Sequence, residues 1–201
     1  MLKTKVKISK INNLTDARYF AAAGVDYLGY CCNPDTEKYC SIVKIKEISE
    51  WVEGPLSVME FDGWQSEAQI EEVIEQLTTD ALHFGAFATY TQDFRKPIFK
   101  DFIFENLAET SFHALVENCT FPVIRTQKSF KDFNESELNL INNTLNATEC
   151  FLDIGFGSED ISEILDRFQR LGGLILRGAD EEKVGFKSFE QLDTIFEKLE
   201  A

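Results

Sequence analysis

Three polar residues of this chain stand at or near the ends of short apolar runs, where they could do chemistry. They are Ser9, Asp153 and Arg177. A carboxyl group such as that of Asp153 can act as a general acid or base. A serine hydroxyl is a poor base unless a neighbour activates it, and no histidine lies near Ser9 in the sequence. The pattern predicts Asp153 as a candidate acid and leaves Ser9 as either a weak base or a small polar residue at a strand end.

Two segments carry residues suited to holding an anion. Gly155, Gly157 and Ser158 precede the start of a predicted helix, and Arg177 and Gly178 close another apolar run. Free backbone amides at a helix N-terminus attract negative charge, and an arginine beside them can pair with a phosphate. We therefore predict that any anionic ligand lies between these two loops.

These residues need a scaffold that brings strand ends together. Short apolar segments alternate with amphipathic stretches along the whole chain. The predicted strands are Val6–Ser9, Tyr27–Cys32, Leu56–Phe61, Ala81–Phe87, Ile98–Phe104, Phe121–Thr126, Cys150–Ile154 and Leu174–Arg177. Apolar strands separated by helical patterns indicate a parallel sheet covered by helices. We predict an α/β fold, a single (β/α)8 TIM barrel over residues 1–201, with its active-site groups at the C-terminal ends of the strands.

Helices are predicted from their apolar period and their caps. They lie between Asn12 and Gly24, over Ser66–Leu77, over Ser136–Leu145, from Ser158 to Gly172 and over Ser188–Leu199. Residues Ala88–Lys96 leave little room for a fourth helix, and the helical pattern of Leu107–Asn118 is ambiguous. We expect the barrel to be compact and irregular around its fourth and fifth helices.

The composition narrows the class of protein. The chain has 201 residues and a net charge of −15, so its surface repels nucleic-acid backbones and anionic membranes. No apolar run approaches the roughly 20 residues of a membrane span, and no signal-peptide core follows the N-terminus. We expect a cytoplasmic protein with neither a nucleic-acid nor a membrane partner.

The cysteines do not indicate a disulfide framework or a metal site. There are five, an odd number, and no two have the Cys-x-x-Cys spacing. The two histidines lie far from them in the sequence. We expect no metal and no cofactor.

The N-terminal part carries a series of short motifs. They are Lys5-Val6-Lys7-Ile8-Ser9-Lys10-Ile11, Asn13-Leu14-Thr15-Asp16-Ala17, Leu28-Gly29-Tyr30 and Lys38-Tyr39-Cys40-Ser41. In this order they resemble the motifs Val-Lys-Ile-Cys-Gly-Ile-Thr, Asn-Leu-Glu-Asp-Ala, Leu-Gly-Phe and Arg-Tyr-Val-Ser of phosphoribosylanthranilate isomerase, an enzyme of tryptophan biosynthesis. The resemblance implies a (β/α)8 barrel and an Amadori rearrangement of a phosphorylated ribosylamine.

The resemblance also implies catalytic roles. In the family, a cysteine after the first strand is the base and an aspartate on the sixth strand is the acid. Ser9 stands at the position of the cysteine and Lys10 at the position of the following glycine. Arg125 stands where the acid is expected. Asp153 is then the best remaining acid, although another alignment brings Glu117 to that place.

Substrate-binding roles follow from the same resemblance. Lys7 matches a family lysine of the first strand, and Lys38 matches an arginine that contacts the substrate in the loop after the second strand. The family binds phosphate through loops that correspond to those carrying Gly157 and Gly178. His83 is shifted by one place from the family's histidine, so we expect a buried structural role for it.

Two functions fit these observations. The first is a phosphoribosylanthranilate isomerase-like protein with impaired or altered activity, acting on a small phosphorylated substrate. The second is a non-catalytic or repurposed barrel that binds a phosphorylated metabolite or a protein partner. The outer helix faces show no dominant apolar patch, so the sequence leaves both a monomer and a homodimer open.

Overall fold

Eight parallel strands close into a barrel. The computed structural model describes residues 1–63, 65–90, 93–107, 119–178 and 188–201. The strands are β1 (Val6–Ser9), β2 (Tyr27–Cys31), β3 (Leu56–Phe61), β4 (Ala81–Phe84), β5 (Ile98–Ile103), β6 (Phe121–Ser129), β7 (Cys150–Gly155) and β8 (Leu171–Arg177). All eight predicted strands are confirmed, with differences of up to three residues at their ends.

The strand order brings the candidate residues to one end of the barrel. Each strand pairs in parallel with the next, and β8 pairs with β1. Ser9 stands opposite Arg177 across the β1–β8 pair, and Arg125 stands opposite Asp153 across the β6–β7 pair. All four therefore lie at the C-terminal mouth, as the TIM-barrel prediction requires.

Apolar side chains fill the lower half of the barrel interior. Each of the strands β2 to β8 contributes one of them: Tyr27, Val58, Ala81, Phe99, Val123, Phe151 and Ile175. The ring of Phe151 needs the glycine on the neighbouring strand, because a Cβ at Gly173 would lie 2.3 Å from that ring. This inner apolar layer forms the floor beneath the mouth.

Six α-helices lie in the described residues, on the outside of the barrel. They are α1 (Leu14–Ala22), α2 (Ile42–Ser49), α3 (Glu67–Gln76), α4 (Glu135–Ala147), α5 (Ile161–Arg167) and α6 (Glu190–Leu199). The sequence predicted all of them except α2, whose signals were the N-cap Ser41 and the buried pair Ile45 and Ile48. None of these helices is long and apolar enough to cross a membrane.

The connection between β4 and β5 contains no helix in its described residues, 85–90 and 93–97. The aromatic rings of Tyr90 and Phe94 stack on Phe84 instead, with centroid distances of 4.4 and 5.8 Å. This confirms the expected irregularity at the fourth helix. The expected fifth helix falls largely on residues 108–118, which lie outside the described residues.

Candidate active site

A layer of ionisable side chains lies directly above the apolar floor. On each of the strands β2 to β8, the residue two positions after the floor residue is either charged, a histidine or a glycine. These residues are Gly29, Glu60, His83, Asp101, Arg125, Asp153 and Arg177. Two-residue spacing along a strand keeps a side chain on the same face. The barrel interior therefore changes from apolar to ionic within one step toward the mouth.

Lys7 of β1 is fully buried in this layer. Its ammonium group pairs with Glu60 and donates a hydrogen bond of 2.8 Å to Oγ of Ser9. A Cβ at Gly29 would lie 2.1 Å from Oε1 of Glu60. Glycine at this position of β2 therefore leaves room for the Lys7–Glu60 ion pair, which joins β1 to β3. Burial alone would raise the pKa of Glu60, but Lys7 and His83 hold it well below its ordinary range.

His83 links two buried carboxylates. Its Nε2 lies 2.8 Å from Oδ1 of Asp101, and its Nδ1 lies 3.7 Å from Oε1 of Glu60. Burial and the charge of Lys7 oppose protonation, but the two carboxylates outweigh them and raise the pKa of His83. Burial would also raise the pKa of Asp101, yet His83 and Arg125 lower it to about 2. His83 therefore lies between two carboxylates that favour its protonated form, in a buried position as expected.

Arg125 joins carboxylates from three parts of the mouth. Its Nη1 donates a hydrogen bond of 2.6 Å to Oδ2 of Asp101 and lies 3.4 Å from Oδ1 of Asp62. Its Nε lies 3.4 Å from Oδ2 of Asp153, the oxygen that also accepts a hydrogen bond of 2.6 Å from Nη2 of Arg177. Burial disfavours the guanidinium charge, but the three carboxylates raise the pKa of Arg125 above its ordinary value. A permanent cation thus stands at the expected position of the acid.

Lys10 adds a further cation beside Ser9. Its backbone has a φ of 63°, in the left-handed region that favours glycine. Its Nζ lies 2.7 Å from Oδ2 of Asp62, and its backbone N–H donates a hydrogen bond of 3.0 Å to Oε2 of Glu60. Lys10 therefore closes the ionic layer on the side of β1.

The mouth is nearly electroneutral although the chain carries a net charge of −15. Every carboxylate of the layer has a cationic partner within 4 Å. The carboxylates are Glu60, Asp62, Asp101 and Asp153, and their cationic partners are Lys7, Lys10, Arg125 and Arg177. A phosphorylated ligand would have to compete with these carboxylates for cations that are already paired.

The predicted anion loop after β7 already holds carboxylates of its own. The N–H of Gly157 donates a hydrogen bond of 2.9 Å to Oδ2 of Asp160, and a Cβ at Gly157 would lie 2.3 Å from Oε2 of Glu159. Gly155 accepts a hydrogen bond from the Ser129 hydroxyl at 3.3 Å. Ser158 lies in a turn, and α5 begins only at Ile161. The sequence placed the helix start three residues too early, because Asp160 caps this turn rather than a turn of helix.

The second predicted anion loop is described only in part. Arg177 is half exposed, with 45% of its side chain accessible, and its guanidinium pairs with Asp153. Gly178 lies against α1, where a Cβ would come within 3.0 Å of Oδ2 of Asp16. Residues 179–187 lie outside the described residues. Lys38 is exposed in the loop between β2 and α2, at the same end of the barrel.

Two residues of the ionic layer, Glu60 and Asp101, were missed in the sequence. Glu60 and Asp101 each stand two positions after an apolar residue of a buried strand, in Val58-Met59-Glu60 and in Phe99-Lys100-Asp101. The same alternation on several strands was the signal that could have found them. Asp62 and the pairing of Arg125 with it depend on side chains that meet across the barrel.

In the described part of the chain, no group of three or more His, Cys, Asp or Glu side chains is arranged to hold a metal ion.

Solved structures with a similar fold include several phosphoribosylanthranilate isomerases. The isomerase of Thermotoga maritima superposes with a TM-score of 0.76 at 19% identity, and that of Thermus thermophilus with 0.73 at 20%, each over 98% of both chains. The isomerase in complex with reduced 1-(o-carboxyphenylamino)-1-deoxyribulose 5-phosphate gives 0.75 at 18%, again over 98% of both chains. The resemblance is confirmed for the fold. No protein-family model and no curated protein matches the sequence.

Proposed function

We propose that this chain is a phosphoribosylanthranilate isomerase-like barrel whose isomerase activity is lost or strongly impaired. One observation carries the proposal: at the base position the Ser9 hydroxyl accepts a hydrogen bond from the Lys7 ammonium, and at the acid position stands Arg125, whose guanidinium is paired with carboxylates. The Amadori rearrangement requires an acid to protonate the ring oxygen and a base to remove a sugar proton. Both groups must be able to exchange a proton with the substrate.

The base position argues against efficient proton abstraction. Oγ of Ser9 accepts a hydrogen bond of 2.8 Å from the ammonium of Lys7, which is itself paired with Glu60. A serine becomes a base or nucleophile only when a neighbouring basic group takes its proton. His83 does not supply this base, because its Nε2 lies 2.8 Å from Asp101 and its Nδ1 is directed toward Glu60 rather than Ser9.

The residue at the acid position cannot donate a proton efficiently either. Arg125 stands there, and a guanidinium group does not give up its proton in proteins. Asp153 is the carboxyl group left for the role. Its Oδ2 is bound to Arg177, whereas its buried Oδ1 has no hydrogen-bond partner among the described residues. Any residual isomerase activity is therefore assigned to Asp153 as the acid and Ser9 as the base.

Binding of a phosphorylated metabolite without catalysis is the second candidate. The half-exposed guanidinium of Arg177 favours it, because this cation can reach a ligand above the mouth. Lys38, exposed at the same end, is a second possible contact. In this function the ionic layer is a fixed part of the binding site and transfers no proton to or from the ligand.

Growth of a cell that lacks phosphoribosylanthranilate isomerase, on medium without tryptophan, tests the proposal. We expect that the chain does not restore growth when it is expressed as a soluble protein, whereas an intact isomerase does. Restored growth would show that the paired groups still catalyse the rearrangement and would overturn the proposal.

A further inference from the structure

Two cavities lie outside the barrel, in the layer between strands and helices, and Phe61 and Gln65 line both. The larger has a volume of about 180 Å³ and opens between the loop after β2, the start of α2 and the face of α3. The smaller, of about 60 Å³, lies on the other side of Gln65, toward β4. None of the ionic-layer residues lines either cavity, so both are distinct from the mouth.

Gln65 is the unusual side chain of this region. Both its Oε1 and its Nε2 are buried, and neither has a hydrogen-bond partner in the described part of the chain. Burying an unpaired donor and an unpaired acceptor costs free energy, so almost all such groups in folded proteins have a partner. A primary amide with both ends unpaired beside two cavities indicates a ligand that supplies the partners.

Two other polar side chains that line the larger cavity, Gln69 and Glu72, each have one oxygen that already accepts hydrogen bonds. Oε1 of Gln69 accepts hydrogen bonds from the N–H and the hydroxyl of Ser66, at 2.9 and 3.1 Å, in the capping box of α3. Oε1 of Glu72 accepts a hydrogen bond of 3.1 Å from Gln76. Gln65 differs from both in that its oxygen and its nitrogen are buried and neither has a hydrogen-bond partner in the described part of the chain.

The remaining lining favours a flat, uncharged molecule. Tyr39, Ile42, Phe61 and Val73 supply aromatic and aliphatic surface. Burial raises the pKa of the Cys40 thiol to about 11, so this thiol is protonated and neutral. The carboxylate of Glu72 disfavours an anion. A cavity of roughly 150 Å³ holds one benzene ring, and ligand pockets for larger molecules start at roughly 300 Å³, so the space here suits a single substituted ring.

We propose that this cavity binds a small, neutral, planar ligand that carries a donor and an acceptor side by side, such as a carboxamide or the lactam edge of a heterocycle. The donor meets Oε1 of Gln65 and the acceptor meets its Nε2. The ring lies between Tyr39, Ile42 and Val73. The site lies on the outer side of the strands, so it stands independently of the function proposed for the mouth.

Benzamide is the probe, with benzoate and toluene as matched controls, and binding is followed by shifts of backbone amide signals in NMR spectra. We expect benzamide to shift the signals of Tyr39, Ile42 and Val73 and to bind at least about tenfold more tightly than benzoate, the scale of one lost hydrogen bond to a charged or amide group. Equal affinity of benzamide and benzoate, or shifts confined to the mouth, would overturn the proposal.

Two variants distinguish the contribution of the Gln65 amide from that of the cavity volume. Gln65→Leu keeps the shape and removes both polar atoms, so benzamide affinity should fall at least about tenfold while toluene affinity is unchanged. Its melting temperature should not fall, because the unpaired amide is gone. Gln191→Leu, which replaces an exposed glutamine on α6, is the control and should change neither the benzamide affinity nor the melting temperature. Val73→Phe fills the cavity and should abolish binding of both probes. Unchanged benzamide binding in Gln65→Leu or in Val73→Phe would contradict the assignment.

Discussion

At the scale of single residues, Lys10 shows what distinguishes this mouth from that of the family it resembles. The family has glycine at this position, and the backbone here has a φ of 63°, which glycine adopts readily. A lysine in this conformation is strained, and its gain is the contact with Asp62 at 2.7 Å. The chain thus has a backbone conformation that favours glycine at a position where the family has glycine, and places a cation there.

Substitution of Lys10 should reveal this strain. Lys10→Gly relieves the left-handed backbone, whereas Lys10→Ala keeps the strain, and both lose the ion pair with Asp62 equally. We therefore expect Lys10→Gly to be more stable than Lys10→Ala by about 1 kcal/mol. The measurement is the free energy of unfolding in urea. Equal stabilities of the two variants would show that the backbone is not strained.

Lys7 should be the residue on which the stability of the mouth depends most. Lys7→Met leaves the carboxylate of Glu60 buried beside β1 without its main partner. Removing one member of a buried ion pair costs about 3–5 kcal/mol. Lys131→Met, which removes a cation from a surface pair with Glu159, should change the free energy of unfolding little. Similar losses in the two variants would contradict the role given to Lys7.

Sequence reasoning placed the residues at strand ends but not their partners. Ser9, Asp153 and Arg177 were found because each stands at or near the end of an apolar run, and strand ends share one edge of a barrel. Glu60 and Asp101 lie within strands, where a charged residue reads as an interruption of the apolar pattern. Their pairing depends on strand register and on side-chain direction, which one sequence does not display.

At the scale of elements, the connection between β4 and β5, which contains no helix in its described residues, is held by hydrogen bonds and ring stacking. Nζ of Lys100 donates hydrogen bonds of 2.6 Å to the carbonyl oxygens of both Gly85 and Ala88. Burial lowers the pKa of Lys100. Together with the stacked rings of Phe84 and Tyr90, this lysine fixes a loop where a helix would otherwise cover the strands.

Lys100→Met should loosen this connection. The two carbonyl groups lose a charged donor, so we expect a loss of about 1–3 kcal/mol in the free energy of unfolding. Faster hydrogen exchange should be confined to the loop and the end of β4. Lys44→Met, an exposed lysine on α2, is the control and should alter neither quantity. A uniform rise in exchange over the whole barrel would contradict a local role.

The strands were predictable from the sequence and the helices less so. Most strand residues are buried on both faces of the sheet, and a short, mainly apolar run in the sequence records this. Helix α2 was missed because its apolar face is narrow, with only Ile45 and Ile48 buried. The start of α5 was misplaced because Ser158, Glu159 and Asp160 have the composition of a first helical turn, yet the Asp160 carboxylate closes a separate turn on Gly157.

At the scale of the whole molecule, the chain has a net charge of −15, whereas the carboxylates of the ionic layer are neutralised by neighbouring cations. The four carboxylates of the layer are held by cations, so the excess negative charge lies elsewhere on the chain. The layer also couples stability to pH, because Asp101 has a pKa of about 2 instead of 3.8 and Glu60 has a pKa well below 4.5.

The sign of this coupling follows from the direction of the shifts. Both carboxyl groups have lower pKa values in the folded chain than in the unfolded chain, so their contribution to stability is present above about pH 4.5 and is lost as the pH falls toward 2. We expect the free energy of unfolding to fall steeply over this range. Asp101→Asn should make the fall shallower, whereas Glu135→Gln, in an exposed pair with Arg167, should not. An unchanged slope in Asp101→Asn would contradict the coupling.

Turnover of phosphoribosylanthranilate by the purified chain, followed by loss of its fluorescence, tests the central claim most directly. The claim is that Ser9, hydrogen-bonded to the Lys7 ammonium, and Arg125, paired with carboxylates, leave the mouth without an efficient base and acid. We predict a rate at least about 10²-fold below that of an intact isomerase, the scale of one lost general acid–base group. Ser9→Cys alone should restore little, because Arg125 still occupies the place of the acid. Turnover by the unmodified chain at the rate of an intact isomerase would contradict the account.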